Sequence, residues 1–334
     1  MRAAVVPEPG GEFSIETLPV PDPGPTEVRV SVSACGICHS DTYVREDSFP
    51  GISYPRIPGH EIVGRVDAVG SAVETWNPGE RVGAGWHGGH CFTCEPCRRG
   101  QFRQCETGGV TGITTDGGYA EYVTLPTEAL AAVPETLAAT EAAPLLCAGL
   151  TTYNALRHTD ARAGDLVAVQ GIGGLGHLGL QYAHEAGYET VALSESSGKE
   201  SLARSLGADH FVDTTATDPA ERLQDLGGAS VILATAPNSD AISAAVGGLG
   251  IDGELVAVGV PGDSTEVDIG QLVATRGSVS GWSSGHPREA QDTLEFSATQ
   301  EITPTVETYP LAEVEEAYER MANNEARFRV VLEP

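Results

Sequence analysis

Lysine is almost missing from this chain. Lys199 is the only one, and arginine supplies the other 18 of 19 basic side chains, against 47 acidic ones and a formal net charge of −28. A surface so negative repels phosphate backbones and anionic lipid, which excludes nucleic acids and membrane surfaces as partners. Long apolar runs are missing too: no stretch approaches the ~18 apolar residues of a membrane span. Met1 to Gly10, a short strand followed by Pro7 and Pro9, lacks the basic patch and apolar run of a secretory leader. A soluble, cytoplasmic protein is therefore expected. Repeats and low-complexity segments are also absent. Carboxylates hold water and counterions, and their mutual repulsion is tolerable where ~1 M salt screens it within about 3 Å. The scarcity of lysine thus points to a salt-loving host, with folding and activity that need high salt.

What is present suits two domains. The chain has 334 residues, 40% of them apolar, with 41 glycines for tight turns and close backbone approaches. Residues 1–148 carry short alternating runs, such as Val28 to Val32 and Glu61 to Val69, between Pro and Gly clusters; this predicts strands and turns with few helices. From 149 the texture changes. Asp165 to Gln170 reads as a buried strand, Gly174 to Gly187 as a helix, Thr190 to Leu193 as a strand and Lys199 to Leu206 as a helix. This βαβ rhythm of a parallel sheet continues to about 281. Helices near Pro287 to Ala298 and Leu311 to Met321 then precede a last strand, Arg329 to Leu332.

The seven cysteines fall into two groups. Cys91, Cys94, Cys97 and Cys105 form C-x2-C-x2-C-x7-C in a glycine-rich loop, 88–105. Four thiolates from one short segment can close around zinc with no open position, which makes a structural site; cysteines at two-residue gaps pair poorly as disulfides. An iron–sulfur cluster is the remaining alternative. Cys35, Cys38 and Cys147 are left over. Cys38 and Cys147 with His60 would make the open two-sulfur, one-nitrogen set of a catalytic zinc, although spacing alone does not establish it, since a histidine at a strand start is more often a core residue.

Three segments join these pieces: Cys35-Gly36-Ile37-Cys38-His39-Ser40-Asp41, Gly59-His60-Glu61-x2-Gly64-x5-Gly70-x2-Val73, and Leu146-Cys147-Ala148-Gly149-Leu150-Thr151. In these segments, and nearly end to end, the sequence resembles the zinc-containing medium-chain alcohol dehydrogenases, specifically their yeast-like and cinnamyl-type branches. The resemblance implies that Cys38, His60 and Cys147 bind a catalytic zinc that polarises the alcohol or carbonyl oxygen. It implies that Glu61 swings in as an alternative ligand, that Asp41 orients His60, and that Ser40 hydrogen-bonds the reacting oxygen and passes its proton outward. Tyr43 stands where many relatives end that relay with a histidine; a phenol with an ordinary pKa of about 10 is a poor base at neutral pH, so water is expected to finish it. By the same resemblance His39 touches the cofactor pyrophosphate, an exposed histidine beside the site being the other reading; His87 and His90 flank the four-cysteine loop and are read as non-ligands.

Gly171-Ile172-Gly173-Gly174-Leu175-Gly176 follows one predicted strand and opens a helix, the context a dinucleotide-binding G-x-G-x-x-G requires. By resemblance, Leu175 backs the nicotinamide, Thr151 contacts it, and Val258-Gly259-Val260 makes a later cofactor-lining turn. About 20 residues past the glycines, NAD enzymes place an acidic residue; Ser194 stands there. Ser196 and Lys199 are placed to donate to a 2′-phosphate, which favours NADP, whereas the neighbouring Glu195 argues for NAD.

Trp86 and Phe49 resemble the bulky pocket residues of the yeast-like enzymes and imply small, fairly apolar alcohols and aldehydes; packing in the core is the other reading of both. Cys147 argues against the polyol branch, where Glu commonly replaces it. A zinc-free quinone reductase would lack both cysteine sets. A polyol or threonine dehydrogenase, or a cofactor-binding protein without turnover, are the remaining rivals. The fold expected is α/β: a GroES-like, β-rich catalytic domain, 1–148, completed by 282–334, around a Rossmann domain, 149–281, with the active site in the cleft between them. Two zinc ions per subunit and a homo-oligomer, dimer or tetramer, complete the expectation.

Overall fold

Alternation of side chains builds the first sheet. Along Glu27–Ile37 the buried positions Val28, Val30 and Val32 alternate with half-buried polar ones, and from Ala34 to Ile37 every residue is buried. There the strand is covered on both edges, pairing antiparallel with Glu61–Val69 and with Arg329–Glu333. The strand is six residues longer than the alternating run Val28 to Val32, and its extension delivers Cys38. The computed structural model describes residues 1–334, which divide into two units, Met1–Leu150 with Gly285–Pro334, and Thr151–Ser284.

In the first unit a seven-stranded sheet runs from Val306–Pro310 through Arg329–Glu333, Glu27–Ile37, Glu61–Val69 and Arg81–Ala84 to Leu130–Ala132, with Tyr122–Pro126 also on Glu27–Ile37. Its core gathers Val28, Val30, Ile62, Val82, Tyr119, Val123, Leu125 and the C-terminal Val330 and Leu332. Helix is less scarce here than the sequence suggests. Ala139–Pro144 and a wider π-helical turn, Leu145–Gly149, form a helical run that continues along the chain as Leu150–Arg157, which from Thr151 on belongs to the second unit. Pro144 lacks the N–H an α-helical ladder needs, which accompanies the loosened turn. Cys147 sits in that turn.

In the second unit six parallel strands lie in the order His210–Asp213, Glu189–Ser194, Leu166–Gln170, Ala229–Ala234, Leu249–Ala257, Ser278–Gly281. Leu166–Gln170 is buried at all five positions, as a central strand covered on both faces must be. Strand order reverses between it and Ala229–Ala234, the switch point where such sheets bind ligands. The helix after the glycine motif spans Gly176–Glu185, shorter at both ends than expected because Gly174 and Leu175 belong to the turn. The strand Leu249–Ala257 ends before Val258, and Val260 beyond it is 80% exposed. No helix is long and apolar enough to cross a membrane.

Candidate active site and metal centres

Strand register brings Cys38 and His60 together. Glu27–Ile37 pairs Gly36 with Glu61, so the residues that follow and precede those positions, Cys38 and His60, meet at one end of the sheet. The π-helical turn supplies Cys147, whose Sγ lies 3.7 Å from that of Cys38. One ligand atom from each of Cys38, His60, Glu61 and Cys147 lies within 4.8 Å of all the others.

Two observations test whether this set fits a metal. His60 is fully buried, and its Nε2 has no hydrogen-bond partner, although a buried imidazole nitrogen without one is costly. Its other nitrogen, Nδ1, is engaged by Asp41 Oδ1 at 2.9 Å, which leaves Nε2 aimed at the thiols. The donor chemistry, two thiols and an imidazole, is that of a catalytic zinc. The residues fit the ion.

Around them the charges are strongly coupled. Burial pushes the His60 pKa down, but the Asp41 carboxylate and Cys38 together hold it well above the usual imidazole range. The contact with Cys147, opposed by burial and aided by His60, holds the Cys38 thiol well below its ordinary value. Glu61 is pushed up to about 7 by burial, against the pull of the Arg329 guanidinium. That guanidinium grips Glu61 Oε1, while Oε2 is buried without a partner. Gly36 makes room for this carboxylate, since a Cβ there would lie 1.9 Å from Glu61 Oε2.

Asp41 is the hub of a wider network. Its Oδ2 accepts the Cys38 backbone N–H at 2.8 Å and the Tyr119 hydroxyl at 2.8 Å. Ser40 is half-buried and His39 exposed in the short 3₁₀ turn His39–Asp41 directly after Cys38. Tyr43 joins an aromatic cluster, 5.7 Å from the Phe49 ring and 6.4 Å from Trp86. Trp86 stands edge-on to His60, with centroids 5.1 Å apart, and with Phe49 lines a cavity of about 330 Å³ that also reaches His87, Phe102 and Arg103. The two aromatics thus pack against neighbours and also wall an open space.

The second metal set is local. Cys91, Cys94, Cys97 and Cys105 offer sulfurs within 4.8 Å of one another and form no disulfide. Backbone N–H groups of Cys91 and Cys94 point at Cys105 Sγ and Cys91 Sγ, each at 3.3 Å, the arrangement that stabilises thiolates. His87 and His90 hydrogen-bond each other at 2.9 Å, outside the four-sulfur set.

In the second unit the glycines divide the work. Gly171 adopts φ +88°, Gly173 has nothing within 4 Å of where a Cβ would stand, and a Cβ on Gly176 would lie 1.8 Å from the Gly171 carbonyl oxygen. A turn, an open cradle and a close contact are the three tasks of a dinucleotide loop, so a pyrophosphate fits there. Thr235 ties the switch point by donating to the Gln170 and Gly171 carbonyls at 2.8 and 3.2 Å. Ser194 is buried at the end of Glu189–Ser194, with Ser196 N–H on its hydroxyl at 3.3 Å. Lys199 donates to the Ile172 carbonyl at 2.8 Å, and exposed Glu195 accepts from Asn238 at 3.0 Å. Thr151 is buried, Leu175 and Val258 half-buried.

Residues 24–135 match the family model described as the alcohol dehydrogenase GroES-like domain, and 174–299 match that of the zinc-binding dehydrogenases. The chain is 44% identical to the alcohol dehydrogenase notN of an Aspergillus species, over 99% of this chain and 97% of that one. It belongs to the zinc-dependent medium-chain alcohol dehydrogenases. Solved structures agree with this dehydrogenase fold. A cinnamyl alcohol dehydrogenase of Sorghum bicolor superposes with a TM-score of 0.89 at 30% identity, covering 99% of this chain and 97% of that one. The structure of CAD from Helicobacter pylori complexed with NADP(H) superposes at 0.88 and 27%, covering 99% of this chain and 97% of that one. This chain is accordingly an enzyme, an alcohol dehydrogenase with a GroES-like and a Rossmann-like domain.

Sequence reasoning missed Arg329 and Tyr119, the partners of Glu61 and Asp41. Both lie far from those residues in the chain, 268 and 78 positions away, and no local motif announces them.

Proposed function

We propose that this dehydrogenase moves a hydride between a small primary alcohol, or its aldehyde, and NADP, using a zinc held by Cys38, His60 and Cys147. The observation that carries the reading is the buried, unpartnered His60 Nε2 beside two thiols, with the unpartnered Oε2 of Glu61 close by, so that three donors hold the ion and the fourth position passes between Glu61 and substrate. Zinc there supplies a Lewis acid that stabilises negative charge on the reacting oxygen. Asp41 fixes the tautomer and orientation of His60 by holding Nδ1. Ser40, in the turn beside Cys38, is assigned the first step of proton movement to solvent. Tyr43, engaged with Phe49 and Trp86, is not assigned the last. The Cys91, Cys94, Cys97 and Cys105 set holds the structural zinc.

NADP is favoured because the position that would carry a carboxylate is Ser194, and Lys199 stands over the glycine turn. Glu195, tied to Asn238, is turned to that partner. His39, Thr151, Leu175, Ser196 and the Val258–Val260 turn complete the proposed cofactor contacts. Trp86, edge-on to His60, and Phe49 packed against it are assigned the apolar wall beside the reacting centre. A polyol or threonine dehydrogenase is the second reading, and Cys147 in place of the usual Glu weighs against it.

Assembly through the cofactor unit is supported by its sheet edge. Ser278–Gly281 ends the sheet, and Ile251, Ile269, Val273 and Val279 are exposed in the same unit. Seven free cysteines favour a reducing, cytoplasmic setting, and the charge of −28 favours a salt-rich one.

Elemental analysis of the purified protein, with NADP- and NAD-linked oxidation of a primary-alcohol series, tests the reading. Two zinc ions per chain and a clear NADP preference are expected. Full turnover after the zinc is stripped, or a clear preference for NAD, ends the corresponding part of it.

A further inference from the structure

Tyr119 is fully buried, yet it carries a polar group that must find a partner. It finds Asp41. The ring threads past Gly59, where a Cβ would lie 2.4 Å from Tyr119 Cδ1, and past the Cys35 sulfur, which would lie 2.8 Å from the same Cβ. Gly59 holds φ +101°, a conformation glycine adopts without strain, and it immediately precedes His60. The backbone of Tyr119 is pinned as well: its N–H donates to the Pro58 carbonyl at 3.0 Å, and its carbonyl accepts from Ala4 at 2.8 Å. The phenol therefore has little freedom to point elsewhere.

We propose that Tyr119 is a positioning residue of the catalytic metal centre, its hydroxyl locking the Asp41 carboxylate in the single orientation that holds Cys38 and His60 at once. The inference rests on the catalytic-zinc reading above. Asp41 spends one oxygen on His60 Nδ1, and the other on the Cys38 backbone and the Tyr119 hydroxyl. Three donors from three separate segments define the plane and tilt of a buried carboxylate. Two leave it free to rock about the Cys38 and His60 contacts, and the imidazole rocks with it. Burial and the Asp41 charge raise the Tyr119 pKa well above the phenol range, so the hydroxyl keeps its proton and stays a donor.

Tyr119→Phe removes only the hydroxyl and keeps the packed ring. With cobalt(II) exchanged into the catalytic site, its thiolate charge-transfer and d–d bands are expected to shift. Release of the catalytic zinc to a chromophoric chelator should accelerate about tenfold, the low end of the roughly 10- to 100-fold affinity loss that follows removal of a direct outer partner of a metal ligand. The zinc of the four-cysteine loop, released separately, serves as internal control and should not change. In an Asp41→Asn background the same Tyr119→Phe change should add nothing, because the group it positions has been altered. Unshifted bands with wild-type release overturn the proposal. So does loss of both metals together, or an undiminished effect in the Asp41→Asn background, since either makes Tyr119 a packing residue alone. A wild-type chain that binds metal only at the four cysteines would instead fail the catalytic-zinc reading, independently of Tyr119.

Discussion

Cys147 contributes a thiol to a site that already crowds Cys38, Asp41 and Glu61 around one buried imidazole. So many acidic groups out of water need cations, and Arg329, paired with Glu61 and near both thiols, is a single one. Cys147→Ser is expected to reduce zinc from two ions per chain to one and to abolish alcohol oxidation, while zinc in the four-cysteine loop is retained; elemental analysis beside a turnover assay checks both. A second residue-scale prediction concerns His87. Burial, helped by His90, lowers its pKa to about 4. The unfolded chain binds that proton near 6.5, so between 6.5 and 4 the unfolded state holds more protons and stability falls as pH falls. The loss from pH 7 to pH 5 amounts to about 2 kcal/mol. His87→Gln should flatten that acid limb, read as the unfolding midpoint in denaturant across the same range.

The elements show what local pattern conveys and what it does not. Gly171, Gly173 and Gly176 were legible because each does something only a glycine permits, within six residues of chain. Gly176→Ala would drive a Cβ into the Gly171 carbonyl at 1.8 Å; a fixed backbone cannot yield cheaply, so a loss of about 3 kcal/mol is expected, with a raised KM for the cofactor. Thermal unfolding and cofactor titration would report it. The helical run from Ala139 to Arg157 was not legible as such. Ala, Leu, Pro and Gly in that stretch carry no clear apolar stripe, since tertiary burial covers the segment from Ala142 to Leu146. Cys147 was therefore recognisable as a ligand by its neighbours in sequence before the turn that presents it was.

Across the whole molecule, charge sets the terms. Arginines pair with carboxylates at the surface, as Arg65 does with Glu135 and Arg204 with Glu200, but a net charge of −28 leaves most acidic groups without a cation. Exposed pairs of this kind each add little, whereas repulsion among the rest extends over about 10 Å at 0.1 M salt and about 3 Å at 1 M. The unfolding temperature and the activity are expected to rise together as potassium chloride is raised from 0.1 M to several molar. Full activity kept after long dilution into low-salt buffer would remove the salt-loving reading and leave the metal chemistry untouched.

The amino-acid order by itself determined the kinds of donor available, their succession Cys38, His60, Cys147, the four-cysteine loop, the glycine turn and the change from strand-and-turn to βαβ texture. These are properties of short windows, where spacing and residue type carry the chemistry. Only the tertiary structure decided that Arg329 holds Glu61, that Tyr119 reaches Asp41, and that Phe49 and Trp86 wall a cavity while Tyr43 packs beside them. Such contacts join residues tens to hundreds of positions apart. Strand register and burial select them, and neither is written in any one segment of chain.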